Sequence, residues 1–105
     1  MYEQTEGIYT YYVYILTNIK KTVLYIGVTN NLGRRLAEHQ SNSNPKSFTA
    51  QYNVYYLVYY EKFTWIQLAI QREKELKKFS RARKEELIKE FNPELKFFNH
   101  YFQSK

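Results

Sequence analysis

Two parts of the sequence carry residue types suited to binding phosphate groups. Arg35 presents a planar fork of donors that matches phosphate oxygens, and His39 follows at i+4 on a predicted helix, so both can face one cleft. The segment KKFSRARK, residues 77–84, contains five basic residues and no acidic one. Such a run can bind nucleic-acid phosphates by counterion release, and a solvated helix face has the same composition. The candidate nucleic-acid contacts are Arg34, Lys77, Lys78, Arg81, Arg83 and Lys84.

A single carboxylate lies on the apolar side of another predicted helix. Glu73 shares a stripe with Ala69 and Leu76, where an unpaired carboxylate is costly unless something binds it. Lys77 at i+4 is one possible partner. Glu75 points elsewhere on the same helix and serves as a control position.

Three strands are predicted to carry or support these residues. Each segment is rich in β-branched and aromatic residues, and the first two are joined by the short polar link IKKT, which favours an antiparallel hairpin. The predicted strands are TYYVYILTN (10–18), VLYIGV (23–28) and NVYYLVYYE (53–61).

Helical periodicity appears in three further segments. We expect one helix over residues 31–40 with Thr29 or Asn30 as its cap, one from Thr64 to about residue 79, and one from Arg81 to about residue 91. The segment 41–53 reads as a loop. The fold class is therefore a small α/β (α+β) domain with a three-stranded antiparallel sheet flanked by helices, in the order β-β-α-β-α-α. We expect a single domain over residues 1–105, with a core at 10–93 and an aromatic C-terminal tail at 94–105 that partly docks on it.

The composition of the chain excludes several classes of protein. The 105 residues carry 16 Lys+Arg against 10 Asp+Glu, a formal charge of +6, and 19% are aromatic, which is typical of a folded protein. The absence of Cys excludes disulfides and thiolate zinc sites, and two His cannot fill a structural zinc shell. No apolar run approaches the ~20 residues of a membrane span and no signal-peptide pattern begins the chain, so we expect a cytoplasmic location without membrane contact.

The first two strands and the following helix resemble the paired signature of the GIY-YIG endonuclease family. Residues 12–14 read Tyr-Val-Tyr, residues 25–27 read Tyr-Ile-Gly, ten residues lie between them, and Arg35 follows Tyr25 by ten positions. The helical segment from Ala69 to Pro93 resembles the family's glutamate-bearing helix. The resemblance extends over residues 11–93 and is strongest to small, single-domain bacterial members. The literal letters Gly-Ile-Tyr at residues 7–9 are too far from Tyr25, because the family spacing is ten or eleven, so Tyr14 is taken as the motif tyrosine.

The resemblance implies a catalytic set of Tyr14, Tyr25, Arg35, His39 and Glu73. Tyr14 would act as general base or water partner, and Tyr25 would orient water or relay its proton. Glu73 would hold one divalent ion, Mg²⁺ (or Mn²⁺), which would stabilise the leaving oxygen. The competing interpretations are ordinary strand tyrosines, an ion pair between Arg35 and Glu38, and a core or capping histidine.

Three positions depart from the family pattern. Tyr12 replaces the first motif glycine, and Val28 replaces a lysine that many members carry three residues after the second tyrosine. A positive charge beside Tyr14 must then come from elsewhere, with His39 and Arg34 as candidates. Asn92 is a loose match to an asparagine that some members carry after the glutamate helix.

The function that follows from the resemblance is a metal-dependent endonuclease. We expect hydrolysis of DNA phosphodiester bonds with structure-selective or weak specificity, on branched or damaged DNA, in repair or recombination. The first alternative is a nucleic-acid-binding module with the same fold and no useful catalysis, and the second is a protein-interaction domain that uses the aromatic tail from Phe97 to Phe102 as an anchor.

Overall fold

A three-stranded antiparallel sheet forms the centre of the computed structural model, which describes residues 10–41 and 46–103. The strands are β1 (Tyr11–Thr17), β2 (Leu24–Thr29) and β3 (Tyr56–Phe63), in the spatial order β2-β1-β3. The hairpin between β1 and β2 is confirmed, and β1 pairs with β3 on its other side. The Gly-Ile-Tyr letters at residues 7–9 lie outside the described residues.

Within residues 10–41 and 46–103, four α-helices and one 3₁₀ turn surround the sheet. They are α1 (Leu32–Ser41), α2 (Phe48–Tyr52), α3 (Ile66–Lys77), α4 (Arg81–Phe91) and a 3₁₀ turn at Asn99–Tyr101. The predicted fold class and element order are thus confirmed, with α2 as an addition. No helix in residues 10–41 or 46–103 has both the length and the apolar character needed to cross a bilayer.

Side-chain caps explain where two of the helices begin. Ser80 caps α4 by accepting a hydrogen bond from the Arg83 amide at 3.1 Å. The cap of α1 was predicted wrongly: Asn31 Oδ1 accepts from the Arg34 amide at 3.0 Å. Thr29 instead supports this turn, because its hydroxyl accepts from the Asn31 amide at 3.1 Å.

The helix α2 lies in a segment that was predicted to be a loop. Its N-terminus is capped by Ser47, which accepts from the Ala50 amide at 3.2 Å, and it ends at Asn53 in the left-handed conformation, with φ of 57°. Asn tolerates that conformation better than most residues. A helix of five residues is shorter than the window in which helical periodicity can be recognised, and for that reason the sequence pattern missed it.

The two faces of the sheet carry separate hydrophobic clusters because side chains alternate along β1. Val13 and Ile15 pack under α3 and α4, whereas Tyr14 and Leu16 pack under α1. The first cluster is completed by Ile26, Val58, Tyr59, Ala69, Leu76 and Ile88, and the second by Leu32, Leu36, Val54 and Leu57. The face of Tyr14 and Leu16 is therefore the one that receives α1 and its polar residues.

The C-terminal segment docks against the start of β3. The Asn99 side chain accepts from the Leu57 amide at 2.7 Å and donates to the Tyr55 carbonyl at 2.8 Å. Phe98 and Phe102 are half-buried against the cluster under α1, while Tyr101 keeps 67% of its surface exposed. Two aromatic side chains of the segment thus face the domain, and Tyr101 stays exposed.

Candidate active site

The phenol of Tyr14 occupies space that exists because residue 27 is glycine. Tyr14 pairs with Gly27 across the hairpin, and its side chain is fully buried. A Cβ placed on Gly27 would lie 2.6 Å from Tyr14 Cζ and would overlap the hydroxyl oxygen. The glycine of the Tyr-Ile-Gly segment therefore lets the phenol lie flat across β2 and directs its hydroxyl toward the edge of the sheet.

His39 connects this hydroxyl to α2. Its Nε2 lies 3.3 Å from the Tyr14 hydroxyl, and its Nδ1 lies 2.9 Å from the hydroxyl oxygen of Thr49. The Tyr25 ring completes the group, with its centroid 6.4 Å from that of Tyr14 and 5.5 Å from that of His39. His39 is only 8% exposed, and each of its ring nitrogens lies within hydrogen-bond distance of a protein hydroxyl.

Tyr14 is a protonated phenol at neutral pH. Burial raises its pKa to about 12, against the opposing effect of the Arg35 charge and a side-chain hydrogen bond from Arg35. The neighbouring Tyr25 and Glu73 raise it further. A free phenolate is consequently a minor species, and any base function of Tyr14 requires a group that accepts its proton.

His39 is suited to accept that proton because it is neutral. Burial lowers its pKa below the usual 6.5, the positive charge of Arg35 lowers it further, and Glu38 opposes both effects. A neutral imidazole has one bare nitrogen, which can accept a hydrogen bond from a phenol.

Arg35 contacts both Tyr14 and Glu38. Burial disfavours its charge, yet its pKa is raised, since interaction with Tyr14 and a hydrogen bond to Glu38 favour the guanidinium. The bond from Nη1 to Glu38 Oε1 is 3.0 Å long, so the ion pair that was one interpretation of Arg35 is present. The positive charge beside Tyr14 therefore comes from Arg35 and not from neutral His39. Val28 packs on the opposite face of the sheet, against the cluster under α3 and α4.

Glu73 lies on α3 and is linked to this group through the effect of its charge on Tyr14. Its negative charge contributes to the raised pKa of Tyr14, its side chain is 17% exposed, and its Oε2 pairs with Lys77 Nζ at 3.1 Å. Within residues 10–41 and 46–103, three or more His, Cys, Asp or Glu side chains do not gather as a metal cluster. A lone carboxylate still suits Mg²⁺, which is commonly held by one or two carboxylates, waters and substrate phosphate oxygens. The control Glu75 is 56% exposed and pairs with Arg72 at 2.8 Å.

The candidate nucleic-acid contacts are distributed around the helix ends, and most have acidic neighbours. Lys77 pairs with Glu73, and Arg34 lies 3.7 Å from Glu38. Lys78 follows α3 with an exposed side chain, and Lys84 is half-buried on α4. The two remaining members, Arg81 and Arg83, pair with Glu85 and Glu86 at 2.8 and 3.1 Å.

Arg81 has an additional structural contact. Its guanidinium donates to the Thr22 carbonyl at 3.0 Å and to the Lys21 carbonyl at 3.3 Å, linking the start of α4 to the turn between β1 and β2. These bonds engage several of the five donors of the guanidinium. Arg81 is thus the member of the basic run with the least freedom to bind a phosphate.

The Asn92 side chain lies away from the Tyr14 group and links the backbone of β3 to that of the segment after α4. Its amide nitrogen donates to the Val58 carbonyl at 3.0 Å and the Lys96 carbonyl at 2.8 Å, and its oxygen accepts from the Lys96 amide at 3.0 Å. The side chain is buried on the β3 side and its polar atoms are all bonded. This geometry supports a structural role for the asparagine.

Sequence reasoning missed Thr49 and Phe48, which α2 brings to the site. Thr49 bonds His39, and Phe48 stacks on Tyr25 with ring centroids 6.3 Å apart. No sequence pattern pointed to either residue, since the segment that contains them shows no helical periodicity and was predicted to be a loop. A capping serine two residues before Thr49 was the available sign of a helix there.

The profile of the GIY-YIG catalytic domain matches residues 10–86, which include Tyr14, Tyr25, Arg35 and Glu73. The chain belongs to the GIY-YIG family. The resemblance inferred from the motifs is therefore confirmed. The family consists of nucleases, so its substrates are nucleic acids, and its members generally depend on a divalent metal.

Similar proteins carry the name UPF0213. A UPF0213 protein of Natronomonas pharaonis is 42% identical over 78 residues, covering 74% of this chain and 89% of that protein. One from Syntrophus aciditrophicus is 42% identical over 83 residues, covering 79% and 93%. A solution NMR structure of a UPF0213 protein from Bacillus halodurans is 32% identical and covers 75% of this chain and 82% of that one, with a TM-score of 0.47.

Proposed function

We propose that this GIY-YIG domain is a metal-dependent endonuclease that hydrolyses phosphodiester bonds of DNA. The observation that supports this most is the contact of 3.3 Å between the Tyr14 hydroxyl and Nε2 of neutral His39, with Arg35 beside them. A nuclease needs a base for water, positive charge near the phosphate and help for the leaving oxygen. Tyr14 and His39 together would supply the base, Arg35 the positive charge, and Glu73 the site for a metal that helps the leaving oxygen.

The base step is a double proton transfer. As water attacks phosphorus, it gives a proton to the Tyr14 oxygen, and the phenolic proton passes to His39 Nε2. Tyr14 stays neutral throughout, which suits a phenol whose pKa is raised to about 12. The imidazolium that forms lies in an edge-to-face contact with Tyr25, whose ring centroid is 5.5 Å away.

Arg35 has the geometry to stabilise charge on the phosphate. Its Nη1 is bonded to Glu38 at 3.0 Å, which fixes the plane of the guanidinium and leaves other donors of the fork for phosphate oxygens. Preorganised donors of this kind contribute most where charge develops in the transition state.

Glu73 is the residue that would hold Mg²⁺ or Mn²⁺. When bound, the ion would neutralise charge on the departing oxygen. Lys77 pairs with the same carboxylate at 3.1 Å, so a bound ion would compete with the Lys77 ammonium for Glu73.

The DNA would be held by phosphate contacts that do not read sequence. Arg34, Lys77, Lys78, Arg83 and Lys84 are the residues available for this, and such contacts position a duplex without specifying bases. We therefore expect weak sequence specificity, with branched or damaged DNA as substrates, in DNA repair or recombination in the cytoplasm.

A nuclease assay on the full chain tests this function. Labelled single-stranded, duplex and branched DNA are each incubated with Mg²⁺, Mn²⁺ or EDTA, using the wild type, Tyr14→Phe, Glu73→Gln and the control Glu75→Gln. We expect metal-dependent nicking that is lost in the first two variants and kept in the third. Salt-dependent binding without nicking on every substrate would support the non-catalytic module instead, and nicking that survives both variants would refute the assigned site.

A further inference from the structure

Thr49 faces the side of His39 that is turned away from Tyr14. It lies in α2, is 4% exposed, and places its hydroxyl oxygen 2.9 Å from His39 Nδ1. The proton relay involves only Nε2, so it leaves this second contact without a role. A neutral imidazole carries a single proton, and the partner of one nitrogen decides which nitrogen bears it.

The donors and acceptors around the pair can be assigned from chemistry. Arg35 lies close enough to Tyr14 to lower the pKa of its phenol, and a guanidinium has donors only, so it cannot accept the phenolic proton. The phenolic proton must therefore point to another group, and Nε2 of His39 lies 3.3 Å away. Nε2 is then the bare nitrogen, and Nδ1 carries the proton.

The Thr49 hydroxyl can receive this proton as an acceptor. Its own hydrogen has a neighbour in the Ser47 hydroxyl, 3.4 Å away, which keeps a lone pair while it caps the Ala50 amide. The three hydrogen bonds then all point the same way: Tyr14 donates to His39, His39 donates to Thr49, and Thr49 donates to Ser47.

We propose that Thr49 is a positioning residue that holds His39 in the Nδ1–H tautomer. Its catalytic consequence rests on the proposed nuclease function, whereas the tautomer itself does not. With the proton on Nε2, two donors would face each other between His39 and Tyr14, and the phenol would have no group to receive its proton. Partners that orient an imidazole in this way contribute as much to a site as the groups they orient.

The tautomer can be measured without any activity. The full chain is labelled with ¹⁵N-histidine, and long-range ¹H–¹⁵N correlation spectra are recorded at a pH of ~8, where histidine is neutral. We expect His39 to show a protonated Nδ1 and a bare Nε2. His100, the second histidine, is exposed and serves as an internal reference.

Three variants make the test specific to the hydroxyl at position 49. Thr49→Val, of nearly equal shape, is expected to move the His39 nitrogens toward the Nε2–H pattern, and Thr49→Ser to restore the wild-type pattern. Thr17→Val removes another buried hydroxyl, which bonds the Val23 carbonyl at 2.7 Å on a different part of the sheet, and is expected to leave the His39 spectrum unchanged. Wild-type His39 as Nε2–H, or a spectrum of Thr49→Val identical to wild type, would overturn the proposal. If Thr49→Val does not fold, the wild-type and Thr49→Ser spectra test the proposal, and a proton on His39 Nε2 in either one would overturn it.

Measurements of the cleavage rate separate the proposed role of Thr49 from the nuclease function on which that role rests. We expect Thr49→Val to lower kcat for cleavage roughly 10- to 100-fold, with little change in KM, and Thr49→Ser to recover most of it. A chain with the expected tautomer and no cleavage of any DNA would refute the nuclease function alone. A chain that cleaves DNA equally well with Thr49→Val would refute the role of Thr49 alone.

Discussion

The phenol of Tyr14 and the backbone of Gly27 fit against each other so closely that a Cβ at position 27 would lie 2.6 Å from Tyr14 Cζ. The two residues pair across the hairpin, so the register between β1 and β2 also sets the position of the Tyr14 phenol. The Tyr-Ile-Gly half of the family signature thus contributes its own tyrosine and, through Gly27, the room that the Tyr14 ring occupies.

Gly27→Ala should displace the Tyr14 phenol from His39. We expect a loss of roughly 1–3 kcal/mol in the free energy of unfolding, because the core would be overpacked, and a fall of ~10² or more in cleavage rate, because the base loses its partner. Thermal unfolding and a nicking assay measure the two effects. Gly33→Ala is the control, since its Cβ would press on the Phe102 carbonyl and leave Tyr14 in place. Equal losses of rate in both variants would show that instability alone is responsible.

The rate of cleavage should depend on the protonation of His39. Folding disfavours the charged imidazole, so the pKa of His39 lies below 6.5, and the rate should fall as the pH drops through that lowered pKa, because imidazolium cannot accept the Tyr14 proton. The same shift makes folding stability decline as the pH falls from the unfolded pKa to the folded one. Single-turnover rates and an NMR titration of His39 should give the same midpoint. An acidic decline that persists in His39→Gln would assign it to another group.

Arg35→Lys should show that the fork of Arg35 matters more than its charge. Lysine keeps a positive charge beside Tyr14 but cannot bond Glu38 and two phosphate oxygens in one plane. We expect the rate to fall ~10²-fold. Arg34→Lys, one position earlier and exposed to solvent, is the matched control and should change the rate little. Similar rates for the two variants would argue that Arg35 acts as a point charge.

Glu73→Gln should remove the binding of a divalent ion. Mn²⁺ broadens NMR signals of nearby nuclei, so in wild type the amides around Glu73 should broaden when Mn²⁺ is added together with a non-cleavable phosphorothioate duplex. The broadening should disappear in Glu73→Gln and remain in Glu75→Gln, since Glu75 pairs with Arg72 away from the site. Broadening centred elsewhere would move the metal to other ligands.

Asn92→Ala should lower stability and leave the chemistry intact. The substitution removes the partner of one buried carbonyl, one partly buried carbonyl and one partly buried amide, at a cost of roughly 1–3 kcal/mol. Assayed well below its melting temperature, the variant should cleave at close to the wild-type rate. Asn30→Ala, at an exposed position, is the control for the unfolding measurement. A large loss of rate in stable Asn92→Ala would give Asn92 a catalytic part after all.

The parts of the fold that the sequence predicts well are those with strong local signals. Segments rich in aromatic and β-branched residues marked the strands, and helical periodicity marked α1, α3 and α4. The five-residue α2 has no such signal, and its N-cap was hidden among other polar residues of the presumed loop. Tertiary contact stabilises a helix this short, and a local pattern cannot report that contact.

The candidate site shows the same limit. Spacing could select Tyr14, Tyr25, Arg35 and Glu73 as a set, and it could not say what each side chain touches. The partner of His39 is ten residues away in sequence, beyond the end of α1, and the protonation of Tyr14 depends on burial that only the packed sheet creates. Their assigned roles stay predictions until the variants above are measured.

The bonds that Asn99 makes to β3 bear on how short this chain can be and still fold. The family profile ends at residue 86, inside α4, yet the Leu57 amide and the Tyr55 carbonyl find their partner at residue 99. A fragment that stopped at the profile boundary would leave these groups open at the border of the sheet and uncover the aromatic surface beneath Phe98. An uncovered strand of this kind pairs readily with a second molecule. We therefore expect the segment around Asn99 to protect the edge of the sheet from pairing with a second molecule, and a stable fragment to need residues beyond the recognisable motif.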